Sequence, residues 1–259
     1  MSDSSSPPLQ PPSLGLLLAE VRSLLELNAS LVLAPLLLQA PHGDGHPVLV
    51  LPGLLASDLS TVPMRKLLAR LGYQSIGWDL GRNLGGVYRM REQLRQRLEQ
   101  IHDSAGRKVS LVGWSRGGGY ARDRALHRPQ LVRWVISLGS PFSGDITATN
   151  ASHVYERLSG ERLEDIDLAD IKALAGDLPV PTTSIYSRTD GIVNWRTSLL
   201  RPSAAAENIE VNLASHIGLV VNPAVLWAIA DRLAQPEGTF RPFERHGPFA
   251  LAYAPPLTE

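Results

Sequence analysis

One serine lies in a pattern suited to nucleophilic chemistry, Gly113-Trp114-Ser115-Arg116-Gly117. A serine hydroxyl is a weak nucleophile, so it must be lifted clear of the backbone and given a base before it can attack a carbonyl carbon. An apolar run, 109–112, precedes the pattern, and a helical pattern to about His127 follows it. A tight strand-to-helix turn lifts the serine, and flanking glycines avoid collisions there. We therefore predict that Ser115 is a nucleophile; the alternative is a glycine-rich packing turn.

His216 is the best placed of the seven histidines to act as a base for this serine. It follows a predicted strand over 209–213 and precedes the last helical pattern, which begins at Asn222-Pro223. An imidazole there can take the serine proton at one nitrogen while a carboxylate holds the other. The alternative is a structural loop histidine. The other histidines lie near helix ends, in an insertion, before the first strand or in the C-terminal tail: His102, His127, His153, His42, His46 and His246.

Asp190 is the predicted acid partner of His216. It lies in the polar turn Ser187-Arg188-Thr189-Asp190-Gly191, shortly after the apolar run 182–186. From a loop after a strand, a carboxylate can reach the far side of the imidazole. Asp145 competes for this role, because it follows an earlier predicted strand that ends at Leu138. The alternative for either residue is a turn-forming aspartate, since Asp is common in turns.

These motifs follow one another in the order nucleophile, acid, histidine, and the segment Leu51-Pro52-Gly53-Leu54-Leu55 precedes them. Together they make residues 46 to about 235 resemble the α/β-hydrolase fold, and within it the compact bacterial lipases and esterases. The resemblance implies that the backbone N–H groups of Leu54 and Arg116 stabilise an oxyanion. Family members often have His-Gly where this chain has Pro52-Gly53, a departure that keeps the donor amides.

The function implied is hydrolysis of small or lipid-like carboxylic esters through an acyl-enzyme, with a triad of Ser115, Asp190 and His216. Two alternatives remain open. The same triad would serve acyl transfer to an alcohol or amine, and the fold also suits a non-catalytic binding scaffold. The sequence has no phosphate-binding loop, dinucleotide fingerprint or metal-ligand spacing, so we expect neither a cofactor nor a metal.

Short apolar runs alternate with helical patterns from His46 onward, which predicts an α/β domain over 46–259. Such an alternation gives a mostly parallel central sheet with helices on both faces. The stretch of about 145–179 interrupts it with two short helical pieces, near 154–158 and 168–174. We interpret this insertion as a small helical lid above the carboxyl ends of the strands, where substrates bind in open α/β sheets.

The region before this domain is predicted in two parts. Residues 1–12 are rich in Ser and Pro and predict a disordered lead. Residues 13–45 predict an amphipathic helical extension with a cap near Ser13. Its helically spaced apolar residues are Leu14, Leu17, Leu18, Val21, Leu24 and Leu25. Packing of these side chains on the domain or on a partner subunit is the favoured interpretation, and peripheral contact with a membrane surface is the alternative.

The amino-acid composition bears on the binding partners and on the location of the protein. Lys+Arg and Asp+Glu are equal at 25 each, so no general field attracts nucleic acid. There is no cysteine, which fits a reducing compartment. The amino end lacks the basic region of a secretory signal, and charges interrupt its apolar stretch, so we expect a cytoplasmic protein.

Some residues near predicted strand ends allow either a functional or a structural interpretation. Arg82, in a glycine-rich loop, would orient a carboxylate or carbonyl of the substrate or only fix the loop. Three tryptophans would line an acyl pocket or pack in the core: Trp78, Trp114 and Trp195.

Overall fold

The computed structural model describes residues 9–152, 156–157, 168–201 and 203–256. Its centre is a six-stranded sheet in the order β2-β1-β3-β4-β5-β6, in which every neighbouring pair is parallel. The predicted α/β class is confirmed. The strands are β1 (Pro47–Leu51), β2 (Gln74–Gly77), β3 (Val109–Trp114), β4 (Val132–Leu138), β5 (Thr182–Tyr186) and β6 (Ala206–Glu210).

Helices cover both faces of this sheet, as predicted. In the described residues the α-helices are α1 (Leu14–Leu18), α2 (Ser23–Val32), α3 (Ala34–Leu37), α4 (Val62–Arg70), α5 (Val87–Ala105), α6 (Arg116–His127), α7 (Leu168–Ala175) and α8 (Pro223–Leu233). A 3-10 turn, Ala19–Arg22, joins α1 to α2. None of the described helices has the length and apolar character needed to cross a membrane.

The central strands read as continuous apolar runs because both of their faces are buried. In β1, Val48 and Val50 pack in a core with α4 and α8, whereas Leu49 and Leu51 pack in a second core with α5 and α6. Successive side chains of a strand point to opposite faces, so one short run supplies both cores. The sheet is therefore a rigid support for loops at its carboxyl edge.

The predicted last strand is displaced. The sequence predicts it over 209–213, whereas β6 spans Ala206–Glu210. Among the described strands β6 pairs with β5 alone, from Thr182↔Ala206 to Tyr186↔Glu210, and it lies at the edge of the sheet. Edge strands carry polar and charged side chains, so an apolar run is a poor guide to their limits.

The lid prediction is only partly covered by the described residues. The first predicted helical piece, near 154–158, lies outside them apart from 156–157. The second corresponds to α7, and its C-terminal end lies against α6 through buried Arg122. The Arg122 guanidinium donates to the carbonyl oxygens of Leu174 at 2.5 Å and Gly176 at 2.7 Å.

The amino-terminal segment is helical, and Ser13 caps α1, as predicted. The predicted packing of its apolar face on the domain is not what the structure shows, and packing on a partner subunit stays a prediction. Most of the six helically spaced apolar side chains point outward with 60–72% exposure: Leu14, Leu18, Val21, Leu24 and Leu25. The face turned to the domain carries Glu20, which is 5% exposed. The orientation follows from polar contacts, because the charged side chains of this segment bind backbone groups of two loops described below.

Candidate active site

Ser115 occupies a sharp turn between β3 and α6. Its backbone has φ 52° and ψ −122°, a conformation that non-glycine residues rarely adopt. The Ser115 N–H donates to the carbonyl oxygen of Leu138 at 2.8 Å, which ties the turn to the end of β4. Residues held in such conformations cluster at functional sites, where the surrounding structure maintains the strain. Ser115 itself is partly exposed.

The glycines on either side of this turn are sterically required. A Cβ on Gly113 would lie 2.4 Å from the carbonyl oxygen of Gly117. A Cβ on Gly117 would lie 2.3 Å from the carbonyl oxygen of Leu51. Backbone atoms cannot move aside as a flexible side chain can, so the packing of β3, α6 and β1 explains both glycines of the motif.

The structure brings Asp190 and His216 together. The His216 Nδ1 and Asp190 Oδ2 atoms are 2.6 Å apart, and both side chains are buried. The other carboxylate oxygen, Oδ1, accepts from the backbone N–H groups of Ile192 at 2.8 Å and Val193 at 2.7 Å. Asp190 is therefore fixed on both oxygens. A hydrogen bond to Nδ1 leaves Nε2 as the nitrogen available to a reacting proton.

Asp145, the competing acid, has other partners. Its Oδ1 accepts from the Thr147 N–H at 3.0 Å and from the Thr147 hydroxyl at 2.5 Å. These contacts make a local turn, the alternative that the sequence leaves open for an aspartate. Of the two candidates, only Asp190 contacts the imidazole of His216.

The residue before Ser115 contacts this buried pair. The indole of the preceding residue, Trp114, has its ring centroid 5.9 Å from that of His216, and its Nε1 donates to the His216 carbonyl oxygen at 3.0 Å. A Cβ on Gly139, just after β4, would lie 3.0 Å from Asp190 Oδ2 and 3.1 Å from His216 Nδ1. Within the described residues the Ser115 hydroxyl makes no hydrogen bond. In unliganded hydrolases the contact between nucleophile and base is often long, and it tightens on substrate binding.

The charges around His216 favour its protonated form. Complete burial acts to lower the pKa of the imidazole, but the charge and hydrogen bond of Asp190, together with the charge of Glu20, outweigh it. The pKa is therefore raised above its ordinary value of 6.5. A base of this kind holds a proton well once it has taken one.

Ser115 opens onto a small cleft that also contains both residues implied as oxyanion donors, Leu54 and Arg116. Arg116 is the first residue of α6, where backbone N–H groups point out of the amino end of the helix. The Leu54 N–H has no acceptor in the described part of the chain. The cleft also includes part of the predicted lid, and its remaining lining residues are Pro141, Ile146, Thr149, Ala151, Ser152 and Val193.

Asn83 supports the Leu54 loop, a role that the sequence does not reveal. Its side-chain amide donates to the Pro52 carbonyl oxygen at 2.9 Å, and its backbone carbonyl accepts from the Leu55 N–H at 2.7 Å. Leu55 has a positive φ of 63°, so this loop is strained as well. Neighbouring Arg82 is exposed, and its side chain makes no hydrogen bond or ion pair in the described residues.

The three tryptophans have structural partners. Trp78 is buried among α5 and β1 residues, Trp114 packs on His216, and Trp195 stacks on Tyr186 at 5.7 Å between ring centroids. None of the three lines the cleft at Ser115.

A second Asp–His–Ser arrangement lies toward the opposite end of β3. His46 Nδ1 is 2.6 Å from Asp44 Oδ1, and His46 Nε2 is 2.8 Å from the Ser110 hydroxyl. His46 and Ser110 are both 0% exposed, so no substrate reaches them. Burial is the main cause that lowers the pKa of His46, which keeps the ring neutral. This arrangement satisfies buried polar groups, and it shows that triad-like distances alone do not define a catalytic site.

No group of three or more His, Asp and Glu side chains that could hold a metal ion occurs in the described residues.

No model of a protein family matches the sequence, and no curated protein matches it. Solved structures do. Lipase B from Aspergillus fumigatus aligns with a TM-score of 0.58 at 20% identity, over 77% of this chain and 55% of that chain. This chain thus spans little more than half the length of that lipase. A mature lipase from Bacillus licheniformis aligns with a TM-score of 0.57 at 17% identity, over 76% of this chain and 95% of that chain.

An α/β superfamily hydrolase from Oenococcus oeni aligns with a TM-score of 0.51 at 20% identity, over 72% of this chain and 91% of that chain. Identities this low establish the architecture and leave the activity to the site itself. Taken with the parallel sheet and the strained turn at Ser115, these similarities show that the chain has the α/β-hydrolase fold.

Proposed function

We propose that the protein hydrolyses carboxylic esters, with Ser115 as nucleophile, His216 as general base and Asp190 as the acid that orients it. The observation that carries the proposal is the buried hydrogen bond of 2.6 Å between His216 and Asp190. His216 also contacts Trp114, which precedes a strained serine that opens onto a cleft. A buried carboxylate against a buried imidazole is costly to desolvate. The chemistry of an activated serine accounts for that cost.

The reaction follows the general logic of a serine triad. The Ser115 oxygen attacks the ester carbonyl carbon, and its proton passes to His216 Nε2. The N–H groups of Leu54 and Arg116 donate to the resulting oxyanion. The ester C–O bond then breaks, the alcohol leaves with the proton from His216, and an acyl group stays on Ser115. Water, deprotonated by His216, attacks this acyl-enzyme and releases the acid and the free serine.

The cleft favours an apolar acyl group. Its lining is mainly aliphatic, with Leu54, Ile146 and Val193 facing the same space as Ser115. Burial of apolar surface contributes about 25 cal/mol per Å², so an aliphatic chain gains most from such walls. Two of the structural neighbours are named as lipases, which agrees with this choice of substrate class.

Acyl transfer to an alcohol or amine would use the same residues. It differs only in the acceptor that attacks the acyl-enzyme, and the ratio of free acid to transferred product distinguishes the two reactions. A binding scaffold needs neither a strained serine nor a buried ion pair, so it accounts for fewer of the observed features. Peripheral contact of the outward apolar side chains of α1 and α2 with a lipid surface stays a prediction.

A fluorophosphonate probe tests the proposed function directly. Such probes phosphonylate activated serines, and we expect one adduct, on the peptide that contains Ser115. Native wild-type protein should react, while heat-denatured protein and Ser115→Ala should not. Turnover of acyl esters of increasing chain length, measured on the same samples, gives the acyl preference. An adduct on another serine, with ester turnover retained in Ser115→Ala, would contradict the proposal.

The pH dependence of kcat/KM provides an independent prediction. Only neutral His216 can accept the serine proton, and its pKa is raised above 6.5. We therefore expect kcat/KM to fall as the pH is lowered, with half of the maximum reached above pH 6.5. A midpoint below pH 6.5 would contradict the expectation.

Stability should change in the opposite direction over the same range. A pKa raised by folding stabilises the protein fully below the unfolded pKa of about 6.5, and that contribution is lost as the pH rises through the folded value. The difference in unfolding free energy between the wild type and His216→Ala should therefore shrink as kcat/KM rises.

A further inference from the structure

The carboxylate of Glu20, in the turn between α1 and α2, joins the two loops that carry Asp190 and His216. Its Oε1 accepts from the N–H of Gly191 at 2.8 Å and from the N–H of His216 itself at 2.9 Å. Its Oε2 accepts from the N–H of Ile217 at 2.9 Å. Gly191 directly follows the acid, so one side chain holds both members of the buried pair by their backbone.

Two more charged residues of the same segment bind these loops. Glu26 accepts from the Ser215 N–H at 2.9 Å and from the Ser215 hydroxyl at 2.5 Å. Arg22 donates to the backbone carbonyl oxygens of Ala214 at 3.1 Å and of Thr189. Each charged group meets backbone groups of complementary polarity, because the carboxylates accept from N–H groups and the guanidinium donates to carbonyl oxygens. Backbone groups that would otherwise need water are thereby paired.

The loops have glycines where this segment approaches. A Cβ on Gly191 would lie 2.2 Å from the carbonyl oxygen of Leu16, and a Cβ on Gly218 would lie 2.2 Å from Glu26 Oε2. Neither glycine has a positive φ, so the backbone conformation does not require them. Close contact with the backbone of Leu16 requires Gly191, and at Gly218 the Glu26 carboxylate occupies the space of a side chain. The glycine that follows Asp190 is thus explained by this segment and not by the turn alone.

From these contacts we propose that Glu20 is a positioning residue of the active site, whose carboxylate sets the position of Asp190 relative to His216. The inference rests on the proposed function. Glu20 does not line the cleft at Ser115, so it acts through the two loops and not on the substrate. It also explains why the segment presents its charged face to the domain and its apolar face outward.

Charge adds to geometry at this position. Asp190 faces Nδ1 of His216, Glu20 faces its backbone N–H, Glu26 lies at Ser215, and Arg22 lies at the carbonyl of Ala214. Burial acts to lower the pKa of His216, whereas Asp190 and then Glu20 raise it. Removing the charge of Glu20 should therefore lower this pKa, a change that a purely structural contact would not produce.

The test is Glu20→Gln, assayed as kcat and KM for a short acyl ester across pH. Glutamine has one acceptor oxygen, so its NH₂ group faces either the Ile217 N–H or the N–H groups of Gly191 and His216. In both orientations a donor meets a donor, which displaces at least one of the two loops. Displacement of about 1 Å in a catalytic group costs about 10²-fold. We expect kcat to fall by about that factor with little change in KM, and the acidic limb of the pH profile to move to lower pH.

Glu207→Gln is the matched control. Glu207 is also a largely buried carboxylate that accepts from a backbone N–H, that of Phe243 at 2.6 Å, and it pairs with Arg232. Within the described residues it makes no hydrogen bond or ion pair with the loops of Asp190 and His216. Its replacement should destabilise the protein while the pH midpoint and kcat stay near the wild-type values. Equal kcat and equal pH midpoints in the two variants would overturn the proposal.

Glu20→Asp covers the case in which Glu20→Gln fails to fold. It keeps the negative charge but is one methylene shorter, so it cannot reach both loops. We expect a reduced kcat with a pH midpoint close to that of the wild type. A folded Glu20→Asp protein with wild-type kcat would overturn the proposal. Fluorophosphonate labelling separates this failure from that of the proposed function: if the wild type is labelled at Ser115, only the role of Glu20 is lost.

Discussion

Ser115→Ala is expected to lower kcat/KM for a short acyl ester by about 10⁶-fold, because alanine has no hydroxyl that could attack the ester carbonyl carbon. The variant should fold, since the Ser115 hydroxyl makes no hydrogen bond within the described residues. A small hydrolytic rate above background should remain, because the cleft and the N–H groups of Leu54 and Arg116 still bind the ester. Initial rates on purified protein, with circular dichroism as a check on folding, measure the loss.

Non-additivity makes this test specific for a triad. When residues act as one unit, removing the first already abolishes most of the contribution that the others make to catalysis. The double variant Ser115→Ala, His216→Ala should therefore have a kcat/KM only slightly below that of either single variant. Ser110→Ala is the matched control, since Ser110 has an imidazole partner 2.8 Å away in the buried arrangement of His46. It should cost stability and leave kcat/KM near the wild-type value. Losses that multiply in the double variant would count against a shared mechanism.

The sequence predicts the parts of the site that depend on local pattern. β4 and β5 occur where the apolar runs predict them, because both faces of a central strand are buried and leave a continuous signal. The turn at Ser115 is also local, since its glycines lie within two residues of the serine. The choice between Asp190 and Asp145 depends on which carboxylate reaches His216, and only the folded chain shows this contact.

The amino-terminal segment shows where pattern fails. Periodicity registers apolar side chains and treats Glu20 and Glu26 as interruptions, yet these are the residues that turn toward the domain. Their partners are backbone N–H groups far along the chain, and backbone donors have no signature in a sequence. Burial of a carboxylate is favourable only when such donors are already placed, so the fold decides the orientation. Because the carboxylates face the domain, the apolar side chains on the other side of the segment are exposed.

Asn83 escapes prediction for a similar reason. The sequence favours Arg82 as a functional residue because it is a charge in a glycine-rich loop. The residue that holds the Leu54 loop is its neighbour Asn83. The Asn83 side chain donates to the Pro52 carbonyl oxygen and accepts from the Gly85 N–H at 3.1 Å, so one amide group supports two points of the strained loop. A polar residue next to glycines, after a predicted strand, is the only signal that the sequence offers for it.

Asp190→Asn is expected to lower kcat by about 10⁴-fold, the size of the loss when the imidazole of a serine protease triad is held in the wrong tautomer. The carboxylate accepts from His216 Nδ1 at 2.6 Å and from two backbone N–H groups on its other oxygen. An asparagine keeps the shape and can keep the backbone contacts with its carbonyl oxygen. Its NH₂ group then faces Nδ1 and stabilises the tautomer whose proton is on Nε2, where the serine proton must go.

Asp145→Asn is the control that distinguishes the two acids. Asp145 binds Thr147 in its own turn, so this variant should retain most of the wild-type kcat. The pH profile adds a second criterion, because Asp190 raises the pKa of His216 and Asp145 is not among the groups that shift it. Asp190→Asn should therefore lower the midpoint of the acidic limb of its residual activity, and Asp145→Asn should leave it unchanged. A larger loss in Asp145→Asn than in Asp190→Asn would assign the acid to the loop after β4, and the contact of Asp190 with His216 would then be structural.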